Sequence, residues 1–198
     1  MTLDFWFDFA STYSYLAAMT IERRAKAAGV DVRWRPFLLG PIFQKIHGVA
    51  DSPFNLQPAR GRYMWRDLER LCADEALAFK RPSVFPRNST QAARLALLGL
   101  EQSWGVEFSK RVFAHNFAHD RDIADETVLR STLDELGVDS ARAFAEASDA
   151  DHKPRLRAQT EEAERLGVFG APTFFVKGEL FFGSDRLEQA LRWAIPRV

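Results

Sequence analysis

The sequence predicts an α/β fold: a small mixed sheet whose two halves are separated along the chain by a long run of helices. Three observations carry the prediction. Alternating segments flank one helix near the N-terminus, which is a βαβ unit. Residues 41–164 show helical periodicity and no convincing strand pattern. A strand hairpin and a last helix then close the chain in the order ββα.

In residues 2–8, Leu3, Phe5 and Phe7 alternate with Asp4, Trp6 and Asp8, and aromatic residues on both faces predict a central, doubly covered strand. Tyr13 to Ala28 follows as a helix, with Leu16, Met19, Arg23 and Ala27 at helical spacing and Gly29 as its stop. Val30, Val32 and Trp34 alternate up to Pro36. Two neighbouring strands joined through a helix should be parallel, with a right-handed crossover.

Within the helical stretch, Ala59 to Phe79, Asn88 to Trp104 and Val106 to His119 read as helices, the second with Ala92, Leu95, Leu98 and Gln102 on one stripe. Asp125 and Asp139 read as N-caps, and a helix from about Asp151 to Leu166 stops at Gly167. Thr173 to Val176 and Leu180 to Phe182 form a hairpin about Lys177-Gly178-Glu179, and Leu187, Leu191 and Ile195 mark the inward face of the last helix. No repeat or linker divides the chain. The expectation is one domain over 1–198, with a core of about 1–40 plus 165–198 and a helical insertion of about 41–164.

This element order is that of the thioredoxin fold. Gly170-Ala171-Pro172, just before the third strand, strengthens the assignment, because a proline there can be held cis and leaves neighbouring backbone groups open to an extended peptide.

Composition removes several functions. With 27 basic and 27 acidic residues the formal charge is zero, so no global field attracts nucleic acid or an anionic membrane. Asp4 and Asp8 interrupt the N-terminal apolar run, unlike a signal peptide, and no stretch approaches the ~20 apolar residues of a membrane span. Cys72 is the only cysteine, which excludes an internal disulfide, a cysteine-rich zinc site and a CxxC redox pair. A cytoplasmic location and a small-molecule partner are expected. His115 and His119 stand at i, i+4 before Asp120, but the glutamate of an HExxH helix is missing, so no metal is expected. Cys72, on a periodic helix, reads as a core thiol.

In this fold the loop between the first strand and first helix presents the reactive group where orphan N–H groups and the macrodipole favour an anion. Here it reads Ser11-Thr12-Tyr13-Ser14, with serines at both positions where redox cysteines would stand. Thiol–disulfide exchange by the loop itself is excluded. Ser11 fits a helix N-cap, and without a partnered histidine its chemical use is to donate a hydrogen bond to another molecule's thiolate.

Three segments, Asp8 to Ala17, Pro58 to Met64 with Asp67 and Arg70, and Gly167 to Thr173 continuing through Gly183 to Leu187, resemble the 2-hydroxychromene-2-carboxylate isomerase family. Those enzymes are similar to kappa-class glutathione transferases within the DsbA-like thioredoxin superfamily. The resemblance spans the full length and implies glutathione as cofactor, a small aromatic carboxylate as substrate, and a homodimer. It also implies roles. Ser11 is the serine that activates the glutathione sulfur, Ala171 before Pro172 pairs with the cysteinyl backbone, and Ser184 and Asp185 grip the γ-glutamyl end. Arg60 stands in place of the family's usual lysine, and Asn55 is a further candidate contact to glutathione. Gln44, Lys45 and Phe85 are the candidate substrate contacts. Asp185 with Glu188 also has the spacing of a capping box.

The expected reaction is interconversion of 2-hydroxychromene-2-carboxylate and trans-o-hydroxybenzylidenepyruvate. The alternatives are a kappa-like glutathione transferase or peroxidase, and a non-catalytic thioredoxin-like module that binds peptide at Ala171-Pro172.

Overall fold

The structure, a computed structural model, describes residues 1–195. Strand β1 (Thr2–Phe7) runs parallel to β2 (Asp31–Pro36), with Phe5 opposite Trp34, and antiparallel to β3 (Thr173–Val176), with Phe5 opposite Phe174. β4 (Glu179–Phe182) completes the sheet in the order β2-β1-β3-β4. Its hairpin turns on Lys177 (φ 51°) and Gly178 (φ 80°); two successive positive φ values are what a primed two-residue turn requires.

The period-two pattern of β1 feeds two cores. Leu3, Phe5 and Phe7 pack with Trp34, Phe174 and Phe113 on one face, where the Phe5 and Phe7 rings lie 5.0 Å apart. Trp6 turns to the other face, against Phe37, Ile42, Ala163 and Val168. Asp4 is satisfied by a bidentate bond from Arg33 at 2.5 and 2.7 Å.

Helix α1 (Thr12–Ala28) starts at Ser11 and ends at Gly29, whose φ of 66° lets its N–H turn back to Ala25 O. Its buried face is Tyr15, Ala18, Ile21 and Ala25. The expected stripe is therefore rotated: Arg23 and Ala27 face solvent. Between β2 and β3 lie only helices among the described residues: α2 (Leu39–His47), α3 (Pro53–Leu56), α4 (Pro58–Asp74), α5 (Thr90–Glu101), α6 (Gly105–Phe117), α7 (Glu126–Glu135), α8 (Ser140–Ala147) and α9 (Lys153–Arg165). Asp125 and Asp139 cap α7 and α8 through Thr127 N and Arg142 N, as their positions predict.

Three expectations are corrected. α4 stops short of Phe79 because Ala76 takes φ 54° and the Leu77 N–H reaches back to Cys72 O, a left-handed end built on alanine. Gln102 is exposed, held by Glu146 beyond the end of α5. Ile195 is 42% exposed, because α10 (Leu187–Ala194) ends before it and buries Leu187, Ala190, Leu191 and Ala194. Among the described residues no helix is long and apolar enough to cross a membrane.

Candidate active site

The start of α1 meets the loop before β3. Ser11 accepts from Ser14 N at 3.3 Å and donates its own proton to the Ala171 carbonyl at 2.9 Å. The Ala171–Pro172 bond is cis, Pro172 is buried, and its carbonyl accepts from Gly183 N at 2.9 Å. The Ala171 N–H has no acceptor among the described residues.

These two loops form one end of a cavity of about 780 Å³. Its walls are aromatic: Tyr13 and Phe54 (6.3 Å between rings), Phe43, Phe85, and the pair Phe169–Phe182 (4.7 Å). Gly170 makes the last pair possible, since a Cβ there would sit 2.4 Å from the Phe182 ring. Arg60 lies over the Phe54 ring at 5.4 Å and forms no ion pair with a carboxylate among the described residues. Arg87, the other guanidinium in the lining, is buried and committed to Asn116 Oδ1 and Asp120 Oδ1. Asp120 is pulled down to about 2 by the Ser83 N–H and then by Arg87.

Asp8, at the end of β1, is a buried carboxylate in the cavity wall. It accepts from Ala10 N (2.9 Å), Leu39 N (2.8 Å) and Ser89 Oγ (2.7 Å). Burial pushes its pKa up against the pull of those three donors. Tyr13 donates to Asp67 at 3.0 Å, and burial followed by that contact raises the phenol far above its ordinary range, so Tyr13 keeps its proton.

The structure brings Ser11, Arg60, Phe85 and Ala171 together around the cavity and leaves the other candidates outside its lining. Asn55 is turned to Asp51 Oδ1 and the Phe85 carbonyl. Gln44 donates to the Gly48 carbonyl, and Lys45 is bound to Glu164 on α9 at 2.6 Å. α2 lines the cavity instead with its first turn, Leu39, Gly40 and Pro41, and with Phe43 and His47, which stand one turn apart. Ser184 and Asp185 lie on a short 3-10 turn (Ser184–Arg186), with the Asp185 side chain 71% exposed and 3.6 Å from Arg186. No capping box forms there, and Glu188 pairs with Arg24. Sequence reasoning missed Asp8, Tyr13, Phe43, His47, Phe54, Phe169 and Phe182 as site residues; the i, i+4 spacing of Phe43 and His47 was the one available signal.

The remaining chemistry-bearing residues are structural. His115 Nε2 bonds to Thr132 Oγ1 at 3.0 Å inside the helical layer, and among the described residues no group of three His, Cys, Asp or Glu side chains converges as a metal site. Cys72 is buried, and burial pushes its thiol up to about 11.

The DSBA-like thioredoxin domain family matches residues 2–192. The chain belongs to that family. This DSBA-like protein is 31% identical over 190 residues to a 2-hydroxychromene-2-carboxylate isomerase of Sphingobium xenophagum, with 94% of each chain covered. It is 26% identical over 200 residues to glutathione S-transferase kappa 1 of Rattus norvegicus, covering 94% of this chain and 87% of the relative. A solved structure of a 2-hydroxychromene-2-carboxylate isomerase superposes with a TM-score of 0.86 at 25% identity, over 96% of this chain and 92% of that one. The relatives carry isomerase and transferase names, and the DSBA-like fold here holds no cysteine in its first loop.

Proposed function

We propose that this protein is a glutathione-dependent isomerase that interconverts 2-hydroxychromene-2-carboxylate and trans-o-hydroxybenzylidenepyruvate. The observation that carries the reading is the placement of Ser11: a hydroxyl at the N-terminus of α1, against the Ala171 carbonyl, at the end of an aromatic cavity. A cysteine there would make a disulfide enzyme; a hydroxyl with helix N–H groups suits a thiolate brought by a cofactor.

The residues present fit glutathione. Among the described residues the Ala171 N–H lacks an acceptor, as an added peptide strand requires, and Arg60 makes no carboxylate pair. Ser184 and Asp185 would take the γ-glutamyl carboxylate and ammonium by their charges and donors. When bound, glutathione would supply a thiolate for reversible conjugate addition to the double bond of the ring-opened enone, the same carbon–sulfur bond breaking again once that bond has rotated. Ser11 stabilises the sulfur's charge by a donated hydrogen bond, and Tyr13, Phe43, Phe54 and Phe85 hold the flat substrate and exclude water. Arg60 offers a fork-shaped partner for a carboxylate at the cavity.

The kappa-named relatives favour a second reading, a glutathione transferase that consumes the thiol. Glutathione bookkeeping separates the two. With the hydroxychromene in large excess, an isomerase carries it to equilibrium and leaves glutathione unchanged; loss of one glutathione per product selects the transferase, and no turnover with or without glutathione rejects both.

A further inference from the structure

We propose that Asp8 is a positioning residue that fixes the spacing between Ser11 and the cavity walls built by α2 and the 85–90 segment, and thereby sets the size of the group accepted beside the sulfur. The inference rests on the glutathione reading above.

Asp8 bonds to three of the segments that bound this space: its own loop, the start of α2 and the end of the 85–90 segment. Its backbone carbonyl accepts from Ser11 N at 2.9 Å and its Oδ1 from Ala10 N at 2.9 Å, so it sets the turn that aims Ser11. Its Oδ2 accepts the first N–H of α2, at Leu39, from a residue 31 positions away. Leu38, the N-cap of α2, has no side chain able to do this. Asp8 therefore caps α2 from another element, the charge arrangement a helix N-terminus favours. α2 in turn carries Phe43 and His47, which line the cavity.

The third donor shows that this arrangement displaces an ordinary one. Ser89 occupies the N-cap position of α5 yet makes no capping bond; its hydroxyl goes to Asp8 at 2.7 Å, and Thr90 N turns to Asn88 Oδ1. Ser89 closes the 85–90 segment, whose Phe85 also lines the cavity. A buried carboxylate at 4% exposure with all its donors drawn from the cavity's walls is placed for geometry, since three bonds from three segments leave one separation at which all are made. An amide cannot replace it: one of its two ends would present N–H groups to N–H or O–H donors.

The test compares glutathione with its S-hexyl thioether by calorimetric titration of wild type, Asp8→Asn and Ser89→Ala. The alkyl group probes the wall spacing, and glutathione alone probes the cofactor contacts. Hydrogen exchange of residues 39–47 and 85–90 is measured on the same unliganded proteins. The expected result is that Asp8→Asn keeps glutathione affinity within about threefold, loses at least fivefold of the S-hexyl advantage, and exchanges faster in both segments while α6 stays protected. Ser89→Ala should move the same ratio in the same direction by a smaller factor, and it carries the test if Asp8→Asn does not fold. An unchanged S-hexyl advantage in the folded variants overturns the role of Asp8. Wild type that binds neither ligand overturns the glutathione reading instead, and unchanged exchange in both segments then overturns the positioning role as well.

Discussion

The hydroxyl of Ser11 and the carbonyl of Ala171, 160 residues apart in sequence, are joined by a 2.9 Å hydrogen bond. A serine has one proton to give. To donate to a sulfur, Ser11 must release Ala171, whose carbonyl is then open to an amide N–H of an incoming peptide while its own N–H already is open. In the proposed reaction one rotation of the Ser11 hydroxyl would therefore expose a backbone acceptor and supply a thiolate donor together.

Asp185 should act on cofactor affinity and not on chemistry. Asp185→Asn is expected to raise the glutathione concentration for half-saturation and to leave turnover at saturation near wild type, since a contact equal in ground and transition states is uniform binding. The exposed side chain caps no helix, so melting should shift by less than the equivalent of about 0.5 kcal/mol. Calorimetric titration beside a thermal melt checks both; equal affinity in the two proteins removes Asp185 from the cofactor site.

The substrate wall should follow α2's cavity face. Phe43→Ala is expected to raise the KM for the aromatic substrate by about fivefold or more, the loss of roughly 1 kcal/mol of ring contact. Lys45→Ala, which breaks only the exposed pair with Glu164, should leave KM unchanged and cost at most about 1 kcal/mol in stability. The reverse pattern would put the substrate on the other side of the helix.

His115 gives the fold an acid sensitivity. Burial, then the charges of Arg121 and His119, push its pKa down from 6.5 to about 4. The unfolded chain therefore binds the proton more readily; the stability contributed by neutral His115 is present above pH 6.5 and is lost as pH falls toward 4. Urea unfolding at pH 7 and pH 5 should show a smaller loss for His115→Gln than for wild type. Identical losses would mean that His115 titrates normally.

Much of this was legible because its causes are local. The alternation of β1, the caps Asp125 and Asp139, the stop at Gly29 and the hairpin at Lys177-Gly178 each depend on a few adjacent residues, and so does the Ser11 cap. α2 is not among the expected helices; Pro41 in its first turn sacrifices only an N–H that has no intrahelical partner. The end of α4 carries no signal, since alanine replaces the usual glycine at positive φ. Gln44 stands one helical position from Phe43, about 100° of rotation, and Lys45 two positions, about 200°, on the far side of α2. Asp8 sat inside the quoted motif without a role, because its partners Leu39 and Ser89 meet it only in the folded chain.

Cys72 should be inert. With its thiol buried and pushed up to about 11, it should react with an aromatic disulfide reagent at pH 8 only as fast as the protein unfolds, and promptly in denaturant. Rapid labelling of the native protein would contradict the packing of α4 on α1.

The most direct measurement is the ionisation of glutathione's thiol in the complex, followed by thiolate absorbance against pH for wild type and Ser11→Ala. The account predicts a bound thiol that ionises below the range of the free thiol in wild type, and a return toward that range in Ser11→Ala with affinity largely kept. Turnover should fall by about one to two decades, the worth of one charge-assisted hydrogen bond of ~1.5 to 3 kcal/mol. The same ionisation curve for both proteins, coincident with free glutathione, would contradict it.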